Sequence, residues 1–200
     1  MALFICVLDF EATCWNDPNI DKSKIEIIEF PSVLYKLENN NLEKIGEFHE
    51  YVKPIINPKL SNFCTELSGI QQETVDKADI FEKVYNRHQK WIKDNVKDLD
   101  NLYFLTCGAW DLRTQLPREL KNKKLKTNSI YNYYINIKDE YEYFYKKKAS
   151  GMDKMLEYLN LTLDGKHHSG IDDCRNISKI LGKMVKDGHI DFKVNNVKNY

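Results

Sequence analysis

Two carboxylates, Asp9 and Glu11, follow directly on the apolar run Leu3-Phe4-Ile5-Cys6-Val7-Leu8. A continuous run of that kind predicts a central strand buried on both faces. Side chains alternate along a strand, so the two acids project from one face, about 6–7 Å apart. Carboxylates desolvated together repel and raise each other's pKa, unless a cation favours both ionised forms. The chemistry implied is a divalent metal site; the ordinary alternative is a strand surfacing into a loop. Asp173 carries the same double meaning. It lies one turn before the stripe Ile177, Ile180, Leu181, Met184 and Val185, hence on the inward face of a helix, where a carboxylate either caps backbone or binds a ligand. Ser169 and Asp172 already offer a capping box there, which leaves Asp173 over. Asp111, just past the apolar stretch ending at Cys107, reads as an N-cap or as a further ligand. His168 stands five residues before Asp173, with His167 beside it, and either ring alone also fits an ordinary surface or structural histidine.

The elements that must position these groups follow from pattern. A polar loop, Cys14 to Lys24, leaves the first strand. Ile25 to Leu37 and Leu42 to Val52 are expected strands around the turn Glu38-Asn39-Asn40-Asn41, with a bulge or irregular pairing at Pro31. A short helix before Gly69 is predicted, then one over Ile80 to Lys93, with Asp79 as N-cap and Ile80, Val84 and Trp91 on its apolar face. Asn101 to Cys107 predicts a buried strand and Trp110 to Leu120 a helix, begun anew or kinked at Pro117. Lys121 to Lys126 and Lys146 to Lys148 read as solvated basic surface. Tyr131 to Ile137 predicts a strand, and Asp139 to Lys147, Met152 to Leu159 (capped by Ser150) and Ile171 to Lys186 predict helices.

Composition narrows the class. The 200 residues carry 30 Lys+Arg and 30 Asp+Glu, so the chain lacks the overall basic excess of many nucleic-acid binders and any polyanion must be held locally. Its five cysteines are scattered, odd in number and never in C-x-x-C spacing, which argues against a structural zinc or a disulfide scaffold and for a reducing, intracellular compartment, cytoplasmic or nuclear. The first apolar run reaches Asp9 without a basic lead, so neither a signal peptide nor a transmembrane span is expected.

The order D-x-E, then D, then H-x4-D resembles the DEDDh 3′-to-5′ exonucleases of the ribonuclease H-like fold. More narrowly, Asp9-Phe10-Glu11-Ala12-Thr13-Cys14, Glu26-Ile27-Ile28-Glu29-Phe30-Pro31, Phe63-Cys64-Thr65-Glu66-Leu67-Ser68-Gly69-Ile70, Trp110-Asp111-Leu112 and His168-Ser169-Gly170-Ile171-Asp172-Asp173 resemble the histone-mRNA 3′-exonuclease, or enhanced-RNAi exonuclease, branch. The likeness runs in order from about residue 3 to residue 188. It implies an α/β fold with a mixed five-stranded sheet flanked by helices, an exonuclease domain over 1–188 and a polar tail over 189–200. It further implies that Asp9, Glu11, Asp111 and Asp173 bind two Mg²⁺ or Mn²⁺ ions, about 4 Å apart, and that His168 is the general base.

The same likeness places the backbone around Phe10, Ala12 and Thr13 on the terminal nucleotide and Phe63 with Leu67 on its base. Trp110 is left as either a wall of the site or core. The implied partner is single-stranded RNA or a short 3′ overhang, handled by a monomer, with no membrane. Some members carry an extra nucleic-acid-binding module ahead of the catalytic domain, and none is expected here, where the first strand starts almost at Met1. Two rival expectations remain at this point: a DNA-preferring exonuclease of the same fold, and a non-catalytic RNA-binding adaptor.

Overall fold

In a computed structural model, which describes residues 2–198, the expected run becomes strand β1 (Leu3–Leu8), whose Ile5, Cys6, Val7 and Leu8 are wholly buried. A two-residue strand, β2 (Glu11–Ala12), follows it. β3 (Ile27–Glu38) and β4 (Asn41–Lys53) form a long hairpin. Its turn places Asn39 and Asn40 at φ 52° and 60°, the left-handed pair that a two-residue hairpin loop needs and asparagine tolerates. β5 (Asp79–Ile80), β6 (Leu102–Thr106), β7 (Tyr133–Asn136) and β8 (Asn195–Asn196) complete the strands. The five longer strands lie in the order β4-β3-β1-β6-β7, with β1 antiparallel to β3 and parallel to β6, which is parallel to β7. The mixed five-stranded sheet is thus present; the two-residue strands only extend its margins.

Helices cover both faces: α1 (Asn62–Ser68), α2 (Gln72–Lys77), α3 (Phe81–Asn95), α4 (Leu116–Asn122), α5 (Ile137–Tyr145), α6 (Met152–Tyr158) and α7 (Gly170–Lys186). Ile5 and Val7 pack with α5, α6 and α7, while Cys6 and Leu8 pack with α3 and α4. This division is what period-two alternation produces when a strand is buried on both sides.

Several boundaries differ from expectation, each for a local reason. The pairing irregularity falls at Leu34/Tyr35, whereas Pro31 stands in regular register with His49. Pro31 is tolerated there because the β1 ladder ends at Leu8 and Ser32, so no N–H is required of it. Asp79 does not cap α3. It lies in β5, where its carboxylate receives Lys83 and Arg87, and Ile80 is 40% exposed rather than on the apolar face. The pattern gave no sign of α2, a six-residue helix whose one buried residue is Val75.

A π-helical turn, Asp111–Gln115, precedes α4, whose first turn holds Pro117. Lys123 is not solvated surface: its ammonium lies 2.6 Å from Glu26 and 3.4 Å from Glu119. The strand expected from Tyr131 starts at Tyr133 and Ile137 already opens α5. α6 begins after Gly151 without a side-chain cap, so Ser150 does not serve as one. The segment after α7 is less polar in its packing than in its composition, since Phe192 joins the core and buried His189 meets Glu140 at 2.7 Å. Residues 199 and 200 of that segment lie outside the described residues.

Candidate active site

β1 and β6 run parallel, so their C-terminal ends share one edge of the sheet. Asp9 comes directly after β1, Asp111 five residues after β6, and Glu11 lies in β2. The strand does not continue through Asp9 as its apolar pattern implies. The register that pairs Leu8 with Ser32 resumes with Glu11 against Glu29, and between them Asp9 falls opposite Pro31, which has no N–H to give. Within this break the N–H of Phe10 donates to Asp111 Oδ1 at 2.9 Å. Asp111 is therefore not an N-cap; its carboxylate ties the break in the first strand to the segment after β6.

Asp173 arrives from the opposite side, on the first turn of α7. The expected Ser169 to Asp172 capping box is absent: Ser169 makes no side-chain cap bond, and Asp172 accepts the N–H of Lys166. Glu29, 1% exposed, takes that role from another strand, accepting Gly170 N–H at 3.0 Å and Ile171 N–H at 3.1 Å, with His49 Nε2 2.8 Å from its Oε1. A Cβ on Gly170 would stand 2.7 Å from the Asp9 carbonyl oxygen and 2.9 Å from Pro31 Cγ, so only glycine lets α7 seat on the strand break.

Glu29→Gln is expected to destabilise the protein by about 1–3 kcal/mol, the cost of turning an amide donor toward buried N–H groups. In a domain of this size each kcal/mol lowers Tm by about 2–4 °C. Ser169→Ala should stay within about 0.5 kcal/mol, because no cap bond is lost. Paired thermal melts check this, and a larger loss for Ser169→Ala would return the cap to the serine.

Carboxylate oxygens of Asp9, Glu11 and Asp173 lie within 4.8 Å of one another. Burial pushes the Asp9 carboxyl well above its usual range, and the charges of Asp111, Asp173, Glu11 and Glu29 add to the effect. Glu11 is raised to about 9, by burial first and Glu29 next. Asp111 and Asp173 are raised to about 6, burial leading in both, with backbone N–H donors pulling the other way. Asp173 Oδ2 accepts the N–H of His168 at 2.9 Å, while its buried Oδ1 has no hydrogen-bond partner among the described residues. Three converging carboxylates and an unsatisfied buried oxygen fit a hard divalent cation such as Mg²⁺ or Mn²⁺.

His168 sits on the rim with φ 67° and stacks on His167. Partial burial lowers its pKa, helped by the charges of His167 and Lys166. Lys166 Nζ in turn donates to the Glu66 carbonyl, fastening this loop to the end of α1.

The other sequence-predicted residues divide into two groups. The Phe10 ring is buried in the core, edge-on to Phe30 at 4.7 Å, and its N–H is taken by Asp111. Thr13 is buried, with its N–H on the Glu26 carbonyl and its Oγ1 accepting the N–H of Glu26. The Ala12 carbonyl faces Cys64 Sγ at 3.7 Å. These groups brace the strand break from behind. Phe63 is 37% exposed, with Leu67 half-buried on the same helix, and Ser61 Oγ holds that helix to the Cys14 carbonyl. Trp110, 41% exposed, lies on the surface and not in the core. Glu29 and His49 are the site-building residues that periodicity missed, since their signal is a cross-strand register, invisible until β3 and β4 pair. A groove at the far edge of the sheet, lined by Leu99, Tyr103, Ile130 and Tyr133, holds none of these acids.

Comparison with known proteins agrees with this geometry. The family model described as Exonuclease matches residues 6–181. The chain is 40% identical over 190 residues to 3'-5' exoribonuclease 1 of Rattus norvegicus, covering 92% of this chain but only 54% of the rat protein. It is 34% identical to the 3'-5' exonuclease Snipper of Drosophila melanogaster, covering 92% of this chain and 70% of the fly protein. The solved nuclease domain of 3'hExo, a DEDDh family member bound to rAMP, superposes with a TM-score of 0.85 at 38% identity, covering 95% of this chain and 96% of that one. A strand broken at Asp9, an acid supplied from α7 and a sheet that superposes on a DEDDh nuclease leave one assignment: the chain belongs to the exonuclease family, among its DEDDh members.

Proposed function

We propose that this chain removes nucleotides one at a time from the 3′ end of single-stranded RNA, hydrolysing each phosphodiester to release a nucleoside 5′-monophosphate. The observation that carries this is the meeting of Asp9, Glu11 and Asp173 within 4.8 Å. The rAMP held by the related nuclease domain is a product of the kind expected. Asp9, Glu11, Asp111 and Asp173 would hold two Mg²⁺ or Mn²⁺ ions, which when bound supply an activated water and charge stabilisation at the leaving 3′-oxygen.

His168 accepts the proton of the attacking water at a ring nitrogen, and its lowered pKa keeps that nitrogen unprotonated at neutral pH. Its main-chain N–H meanwhile holds Asp173 in place. Phe63 and Leu67, with Trp110 as a further apolar wall, pack against the terminal bases, a sequence-tolerant contact worth about 1–3 kcal/mol per base. The braced segment Phe10 to Thr13 forms the floor under the last nucleotide.

A 5′-labelled oligoribonucleotide incubated with Mg²⁺ or with EDTA tests the reading. A ladder shortening from the 3′ end only with metal is expected; internal cuts, or cutting in EDTA, would overturn it. A matched DNA oligomer addresses the sugar, which the fly relative's name leaves open. RNA is expected to be cut faster, through contact with the 2′-hydroxyl.

Formal net charge is zero, and within the two basic clusters Lys123 is engaged by Glu26 while Lys146 and Lys147 lie over Tyr143 and Tyr158, so neither cluster presents a continuous track for a phosphate backbone. Trimming is therefore expected to be distributive. Affinity for single strands should fall with salt on a log–log slope no steeper than about −2, the equivalent of roughly three phosphates. Adding excess unlabelled RNA after the first cut checks this. Complete degradation of the bound strand, or a much steeper slope, would contradict it.

A further inference from the structure

Two imidazoles stand beside the acidic trio, and the proposed reaction uses only one. His167 and His168 stack face to face, with ring centroids 4.1 Å apart and planes 8° from parallel. Consecutive residues of an extended chain point to opposite sides; here the left-handed turn at His168, φ 67°, accompanies two adjacent rings on the same side. One ring nitrogen from each and a carboxylate oxygen of Asp173 lie within 4.8 Å of one another. Asp173 is 4% exposed, and its Oδ1 lacks a hydrogen-bond partner among the described residues.

We infer that His167, His168 and Asp173 form a second cation site, suited to Zn²⁺ or a similar borderline transition ion, whose occupation switches the nuclease off. Two imidazoles and one carboxylate are a three-ligand zinc set with a fourth position left open, completed when the exposed His167 ring turns out of the stack, since the in-plane lone pairs of parallel rings do not converge on one ion. Mg²⁺ prefers an all-oxygen shell and gives up water reluctantly, so the two neighbouring sites differ in ligand softness and select different ions. Zinc held here occupies the His168 nitrogen that must accept the proton, and it draws an oxygen of Asp173 away from Asp9 and Glu11. The inhibitory consequence rests on the exonuclease reading of His168 and Asp173; the binding site does not.

The test uses the full chain, freed of metal, as the parent and as His167→Ala and His167→Gln. His167 is exposed, so both variants should melt as the parent does. Titration with Co²⁺, a coloured stand-in for zinc, is expected to give one nitrogen-ligated absorption spectrum in the parent, abolished by an equivalent of Zn²⁺ but not by excess Mg²⁺. Both variants should lose that spectrum and bind zinc at least about 100-fold more weakly, beyond the roughly 10–100-fold that removal of a mere outer-shell partner costs.

With Mg²⁺ present, zinc should inhibit RNA shortening by the parent and a chelator selective for zinc should restore it. The His167 variants should match the parent in Mg²⁺ alone and resist zinc. Equal zinc binding and equal inhibition in parent and variants would put the ion on the carboxylates and overturn the site. Zinc binding that requires His167 yet leaves cleavage untouched would overturn the switch. A parent with no Mg²⁺-dependent cleavage would fail the exonuclease reading, while the cobalt spectrum would still decide the site.

Discussion

Asp9→Asn should reduce Mg²⁺-dependent RNA shortening to background and, in EDTA, make the protein more stable. Both follow from one position. Asp9 stands where burial and the charges of Asp111, Asp173, Glu11 and Glu29 all oppose its ionisation, so it costs stability whenever no cation is present. Folded carboxyls with raised pKa values bind more protons than the unfolded chain, and stability then falls as pH rises. For Asp111 and Asp173 the loss sets in above the ordinary value of 3.8 and is complete past about 6; for Glu11 it runs from 4.5 to about 9.

The metal-free parent should accordingly melt at lower temperature at pH 8 than at pH 5. Mg²⁺ or Mn²⁺ should reverse that trend. Neutralising Asp9 should contribute at least about 1 kcal/mol at pH 8, a rise in Tm of about 2–4 °C for this size of domain. Melts across pH with and without Mn²⁺ provide the check. An Asp9→Asn protein that still trims RNA, or that is less stable than the parent in EDTA at pH 8, would remove the shared-cation account.

His168→Ala should slow turnover by about 10²–10⁴-fold, the usual range for loss of a general base. Mg²⁺ or Mn²⁺ binding should barely change, because the bond His168 gives to Asp173 comes from its main-chain N–H, which alanine keeps. The position has φ 67°, where histidine and asparagine are tolerated better than alanine, so His168→Asn separates loss of the ring from backbone strain. Both variants should show the parent's Mn²⁺-dependent rise in Tm with turnover lost, whereas His167→Ala should keep turnover. Single-turnover rates on a short RNA at saturating metal make the comparison. Full activity in His168→Asn would take the base assignment from this residue.

Local sequence determined the type of most elements and which side chains could do chemistry. The apolar run Leu3 to Leu8 pointed to a strand buried on both faces and the stripe from Ile177 to Val185 to an inward helix face, as the fold has them, while the H-x4-D order that favours His168 over His167 came with the family resemblance. These signals are carried within a few residues of chain, by periodicity and by side-chain type. Tertiary structure decided how the groups meet. Asp9 leaves the ladder opposite Pro31, on another strand; Asp111 accepts a bond from Phe10, 101 residues away; and the first turn of α7 is capped by Glu29, 141 residues away, rather than by its neighbour Ser169. The physical reason is the same in all three. A hydrogen bond between distant residues exists only after the backbone has brought donor and acceptor within about 3 Å, and one sequence read alone does not carry the register that does so.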